Sequence, residues 1–146
     1  MKVKIGKYPK WRWFNNWLYE KTGYRPEQSV KVKIDPWDTW SFDCTLAEIV
    51  YPALMQLAKD KHGSPQVDNA DVPEELRHDG DKYIHERWDY VMSEMIYAFE
   101  QKVNDWEEKL WEHKSFEDGS DEWVENRIRI ANGFRLFGKY FESLWS

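Results

Sequence analysis

Residues 88–99 read WDYVMSEMIYAF, and drawn as a helix this stretch is apolar on nearly every side. Only Asp89, Ser93 and Glu94 interrupt it. A helix that is hydrophobic all round is buried, so the stretch predicts the central helix of the fold, extending from roughly Asp81 to Glu112. The apolar stripe of this helix consists of Ile84, Trp88, Val91, Met95, Phe99, Trp106 and Leu110.

Three further helices are predicted from apolar residues that recur at helical spacing. The first covers residues 11–21. The second begins between residues 39 and 43, ends at His62, and should be kinked by Pro52, which removes one backbone hydrogen bond. The last covers about residues 121–145, after a polar turn at residues 114–120.

Two glycines lie inside the predicted last helix, Gly133 and Gly138. Each destabilises a helix by about 1 kcal/mol relative to alanine. We therefore expect both glycines to allow close packing against a neighbouring element.

Two segments alternate charged and apolar residues, as is typical of a strand with one buried face. The sequence KVKI occurs at residues 2–5 and again at residues 31–34. The two segments are expected to pair, with their valines and isoleucines pointing inward. Residues 63–82 are predicted to form a loop with one short helical turn at residues 73–76, and a loop of this length is usually functional or disordered.

These elements predict an α+β fold that is predominantly helical, with a two-stranded sheet packed on a three- to four-helix bundle. The 146 residues correspond to a single domain, residues 1–146. Within it, residues 1–38 form a strand-helix-strand unit, and residues 39–146 form the helical part with the loop at 63–82.

The composition combines a net charge of −6 with 10 Trp, 8 Tyr and 7 Phe. The negative charge argues against general nucleic-acid binding. A single cysteine, Cys44, fits a reducing compartment. No signal pattern and no apolar run of about 20 residues is present, so we expect neither secretion nor a membrane span.

The aromatic rings either build an aromatic core or line a partly solvated pocket or interface.

The segment DPWDTWSFD at residues 35–43 holds three large aromatics and three acids at a strand-to-helix joint. It is interpreted either as a recognition surface or as a helix-capping segment. In the second case its acids favour the helix N-terminus and its rings fill the core. A run of basic and aromatic residues, RLFGKYF, lies at residues 135–141. Rings stack on bases and cations neutralise phosphates, which predicts a nucleotide-sized pocket unless the cations only flank core rings. The candidate ligand-binding residues are Trp37, Trp40, His62, Arg135, Lys139 and Tyr140.

Acids next to the apolar helix surface suggest an alternative, a Mg²⁺-dependent nucleotide hydrolase with a helical carboxylate cluster. Its candidate catalytic residues are Asp43, Glu48, Asp89 and Glu94. The competing interpretation is an ion pair between Glu94 and an arginine, since a buried acid needs a partner. Arg87, Arg127 and Arg135 are the candidates for that pair.

No motif for zinc, for a nucleophilic serine or for a phosphate-binding loop occurs in the sequence. We therefore expect no resident metal or cofactor, with Mg²⁺ required only under the hydrolase alternative. The leading interpretation is a non-enzymatic binder.

Four motifs resemble a family of small proteins of tailed phages, including T4-like and marine phages. They are DTWSFDCTLA at 38–47, KHGSP at 61–65, EMIYAFE at 94–100 and NGFRLFGKYF at 132–141. The resemblance implies a phage origin and no activity. By analogy with small phage proteins that act on the host, we expect a counter-defence binder in the cytoplasm of the infected bacterium. Its partner would be a small anionic, nucleotide-like ligand or a host protein, and it could form a homo-oligomer.

Overall fold

The computed structural model describes residues 2–5, 12–24 and 30–145. The chain divides into two compact units, Met1–Thr45 and Leu46–Ser146. Helices dominate the described residues, which confirms the helical class. The single domain over residues 1–146, with a division at residue 38, stays a prediction.

The first unit holds two strands and a helix. Strands β1 (Lys2–Ile5) and β2 (Val30–Lys33) run antiparallel, with Val3 opposite Val32. Between them lies helix α1 (Arg12–Thr22). All four residues of β2 are exposed, including Val32 at 56%, so the expected buried face is absent from this strand and a sheet packed on the bundle is not supported.

The second unit is built around the predicted central helix. Helix α2 (Phe42–Asp60) begins in the first unit and runs on into the second, with Pro52 in its interior. Helix α3 (Ile84–Val103) packs against helix α5 (Phe116–Lys139). The largest fully buried side chains are Trp88, Val91, Met92 and Met95 of α3 and Leu136 of α5. The expectation that residues 88–99 form the core is thus confirmed.

The predicted helix over residues 81–112 is wrong in one respect, because two helices occupy this region. After α3 ends, Asp105 adopts a left-handed backbone with φ of 46°, and helix α4 (Trp106–His113) follows. The Asn104 N–H still donates to the Glu100 carbonyl at 3.0 Å. Asn and Asp tolerate this backbone region better than most residues, which explains why the helix breaks here.

The last helix also differs from expectation at its N-terminus. The polar turn predicted at residues 114–120 is mostly helical, because α5 begins at Phe116. The Ser115 hydroxyl accepts a hydrogen bond from the Asp118 N–H at 3.3 Å and so caps the helix. Glu117 and Asp118 lie in the first turn, where negative charge favours the helix dipole.

The segment between α2 and α3 is ordered by hydrogen bonds to α3. It contains short 3₁₀ turns at Asn69–Asp71 and Glu74–Leu76, the second of which confirms the predicted helical turn. The Arg87 guanidinium donates to the carbonyls of Val67 and His78. This segment therefore brings Asp71 and Val72 into the interior, where both are buried.

No helix in the described part of the chain is both long and apolar enough to cross a membrane.

Candidate functional site

The aromatic segment of the first unit is a capped turn. Residues Pro36–Thr39 form a 3₁₀ helix, and the Asp35 carboxylate accepts from the Trp37 N–H at 3.1 Å. In return, the Asp38 carboxylate accepts from the Asp35 N–H at 2.8 Å, which completes a capping box. The Thr45 hydroxyl donates to the Asp38 carbonyl at 2.9 Å. These bonds hold the backbone of the turn in one conformation.

Both tryptophans of this turn are exposed. The exposed fraction is 79% for Trp37 and 84% for Trp40, and their ring centroids lie 6.4 Å apart. The sequence left open whether these rings fill the core or face solvent, and the structure has them in solvent. Asp35 and Asp38 cap the 3₁₀ helix of the turn itself, whereas the sequence analysis expected this segment to cap the α-helix that follows. We call this feature the tryptophan turn (residues 35–40).

A buried carboxylate organises the basic and aromatic run at the end of α5. The Asp71 side chain is 3% exposed and accepts from the Arg135 guanidinium at 2.7 Å and the Lys139 ammonium at 2.6 Å. The Tyr140 hydroxyl donates to the same carboxylate at 2.7 Å and accepts from the Asp68 N–H at 3.0 Å. Three predicted ligand-binding residues thus converge, and the anion at their centre is a side chain of the protein. We call these residues the Asp71 cluster (Asp71, Arg135, Lys139 and Tyr140).

The charge state of Asp71 follows from two opposing effects. Burial acts to raise the pKa of Asp71, but hydrogen bonds from Lys139, Tyr140 and Arg135 outweigh it and lower the pKa from 3.8 to about 2. Bonding to Asp68 and Asp71 also raises the pKa of Lys139 above its ordinary value. At neutral pH the Asp71 carboxylate is therefore ionised and paired with the charged side chains of Lys139 and Arg135.

The lowered pKa predicts how the stabilisation by Asp71 depends on pH. A carboxylate whose pKa is depressed on folding stabilises the protein above its unfolded pKa and loses that effect as pH falls through its folded pKa. The difference in unfolding free energy between wild type and Asp71→Asn should be constant above about pH 5 and shrink between about pH 4 and about pH 2. Urea titrations at a series of pH values measure it, and a difference that stays unchanged down to about pH 2 contradicts the assignment.

Glu94 forms an ion pair with a residue that the sequence analysis did not consider. The Arg129 guanidinium donates to both Glu94 oxygens, with distances of 2.7, 3.0 and 3.2 Å, and lies 3.6 Å from the Tyr97 ring centroid. None of the three expected arginines is the partner of Glu94, so that assignment is corrected. A signal was available, since Arg129 precedes Gly133 by four residues and therefore lies on the same face of α5.

The four carboxylates of the hydrolase alternative are not assembled into a metal site. Glu94 is bound to Arg129, and Asp89 forms an ion pair with Lys61. Glu48 and Asp43 are exposed residues of α2. Among the residues that the structure describes, no group of three or more His, Cys, Asp and Glu side chains could hold a metal ion.

His62, the remaining candidate for ligand binding, lies just after α2 and is exposed. The nearby Ser64 hydroxyl forms a hydrogen bond with a different histidine, and its oxygen lies 2.9 Å from the Nδ1 atom of His85.

Comparisons of the chain with protein families, with curated proteins and with solved structures found no match. Function is therefore inferred from the tryptophan turn and the Asp71 cluster themselves.

Proposed function

We propose that this protein is a non-enzymatic accessory protein of a tailed phage that binds and masks a host protein in the bacterial cytoplasm. The tryptophan turn is its principal contact. The observation that carries the proposal is the exposure of Trp37 and Trp40 side by side on a capped turn.

Exposed indole rings on a rigid turn have the properties of binding anchors. Tryptophan is enriched among the residues that dominate binding energy at protein interfaces. The capping box and the Thr45 hydroxyl bond hold the turn in place before any partner arrives. Less conformational entropy is then lost on binding, and this raises affinity.

The charge around the turn favours a protein partner over a nucleotide. Residues 35–43 carry three aspartates and no lysine or arginine, so the segment repels phosphate groups. The cations expected to bind an anionic ligand, Arg135 and Lys139, are already bonded to Asp71. The partner we propose has an apolar cleft for the two rings, bordered by basic side chains that face the aspartates.

The Mg²⁺-dependent hydrolase receives less support from the same contacts. Two of its four carboxylates, Asp89 and Glu94, are bonded to cationic side chains.

A binding comparison tests the proposal. Wild-type protein is immobilised on a resin and incubated with bacterial lysate, from which it should retain one host protein. The purified partner should then bind the wild-type protein in isothermal titration calorimetry. Trp37→Ala and Trp40→Ala should each weaken this binding at least about tenfold, because each removes an anchoring ring. The matched control is Trp145→Ala, which removes a tryptophan that is also exposed but lies in the second unit.

Two results would contradict the proposal. One is a partner that binds the Trp37→Ala and Trp40→Ala variants as tightly as wild type. The other is a thermal shift with a panel of nucleotides that is lost in Trp37→Ala, since this would assign the turn to a small anionic ligand.

A further inference from the structure

A second aromatic surface lies between α4 and α5, entirely within the second unit. It is a cavity of about 660 Å³, and its apolar wall is formed by Trp111, Phe116, Trp123 and Val124. The rings of Trp111 and Phe116 are stacked, with centroids 5.9 Å apart. Phe116 is 76% exposed, so much of its apolar surface faces solvent. We call this feature the α4–α5 groove.

The wall of the groove depends on a glycine. A Cβ added at Gly119 would lie 2.6 Å from the Trp111 ring, so the absence of a side chain lets this indole lie directly against α5. On the other side, the Arg127 guanidinium lies 4.9 Å from the Trp123 ring centroid. Both indole rings are thus held by neighbours, and the groove is a formed feature of the fold.

The helices that form the groove carry a net negative charge. Residues 105–125, which include α4 and the start of α5, contain nine acidic side chains and two lysines. Their formal charge of −7 compares with −6 for the whole chain, so the net negative charge of the protein is concentrated here. All nine acidic residues are exposed. The apolar wall of the groove therefore lies between two helices that are acidic overall and form its rim. The lining itself holds one acid, Glu107, which is paired with Arg127, and one lysine, Lys114, which is paired with Glu122.

We propose that the α4–α5 groove binds a basic amphipathic helix of a partner protein. In such a helix, apolar residues at i, i+3, i+4 and i+7 enter a groove of this kind while the flanks meet its rim. Lysine and arginine on those flanks complement the carboxylates. Anionic membrane surfaces and nucleic acids are disfavoured by the same charge. This site does not depend on the tryptophan turn.

A synthetic peptide tests the site in the full-length protein. The probe is a labelled helical peptide with leucine at the i, i+3, i+4 and i+7 positions and lysine on its flanks, and fluorescence anisotropy measures its binding. We expect binding that weakens at least about tenfold when salt is raised from about 0.05 M to about 0.5 M. A peptide of the same composition in shuffled order, with apolar residues no longer on one face, should bind at least about tenfold more weakly.

Variants of the groove separate docking from general charge attraction. Phe116→Ala removes an apolar wall residue, and Val124→Lys places a cation in the groove; each should weaken peptide binding at least about tenfold. Both residues are exposed, so the fold should persist, which circular dichroism checks. Phe141→Ala is the matched control, because Phe141 is also an exposed phenylalanine of the second unit, and it should bind the peptide as wild type does.

Four outcomes overturn the proposal. The ordered and shuffled peptides could bind equally well, or Phe116→Ala and Val124→Lys could bind the peptide as wild type does. Either result would show that the peptide is bound by charge attraction alone. Absence of peptide binding refutes the site outright. If wild type also sediments as a dimer that Phe116→Ala converts to a monomer, the occupant is a second copy of this chain.

Discussion

The Asp71→Asn variant should lose about 3 kcal/mol of unfolding free energy at neutral pH, because it removes the charge from a buried, fully bonded carboxylate. Its amide keeps one accepting oxygen but places an NH₂ group where the other oxygen accepted, against groups of Arg135, Lys139 and Tyr140 that themselves donate to this position. The two cations can turn towards water, being about half and one-third exposed, but the Tyr140 hydroxyl lies on a buried residue. The loss should therefore stay near the lower end of the range for a broken buried ion pair, about 3–5 kcal/mol.

The matched control for Asp71 is its exposed neighbour Asp68. Both carboxylates bond Lys139, but the Asp68 side chain is 68% exposed whereas that of Asp71 is almost fully buried. Asp68→Asn should change the unfolding free energy by less than about 1 kcal/mol, since exposed ion pairs contribute little. Urea denaturation followed by circular dichroism measures both variants, with the same dependence on urea expected for each. Equal losses would show that burial of Asp71 does not matter.

Gly133→Ala should destabilise the protein by about 2–3 kcal/mol, although alanine is the better helix former by about 1 kcal/mol. An added Cβ would lie 2.4 Å from the Glu94 carbonyl oxygen and 2.5 Å from the Ala98 Cβ, both on α3. Neither atom belongs to a flexible side chain, so α3 and α5 would have to separate. Any separation also disturbs the ion pair between Glu94 and Arg129, which joins the same two helices.

Gly138 provides the control with the opposite sign. No atom outside the local helix lies within 4 Å of a Cβ added there, so the close packing expected of Gly138 is wrong, whereas that of Gly133 is confirmed. Gly138→Ala should stabilise the protein by about 0.5–1 kcal/mol through helix propensity alone. Thermal and urea denaturation of the two variants give the comparison. Destabilisation by Gly138→Ala, or tolerance of Gly133→Ala, would refute this account of the α3–α5 contact.

The central helix could be predicted because its signal is local. Apolar residues on nearly every side of 88–99 predict burial wherever the rest of the chain lies. A cap in residues 35–43 was also predicted, but for the following α-helix, whereas Asp35 and Asp38 cap the 3₁₀ helix at Pro36–Thr39. The break at Asp105 was missed because its left-handed backbone competes with a favourable helical pattern on both sides. The early start of α5 was missed because its first turn is polar and lacks apolar periodicity.

The candidate site shows the same division between local and distant information. Helical spacing alone places Arg135, Lys139 and Tyr140 near one another at the end of α5. Their anion comes from Asp71, which is 64 residues before Arg135 in the chain. The partner of Glu94 was missed although Arg129 shares a face of α5 with Gly133, because that spacing does not show which residue, 35 positions away, the face meets.

The amino-acid sequence by itself determined that this protein is helical, that residues 88–99 belong to the central helix and that residues 35–43 combine capping residues with aromatic rings. These properties depend on contacts within one or two helical turns. Only the tertiary structure decided that Trp37 and Trp40 face solvent and that the cations of α5 bind an internal carboxylate. Exposure and ion pairing depend on which distant segments pack together, and packing is a property of the whole fold.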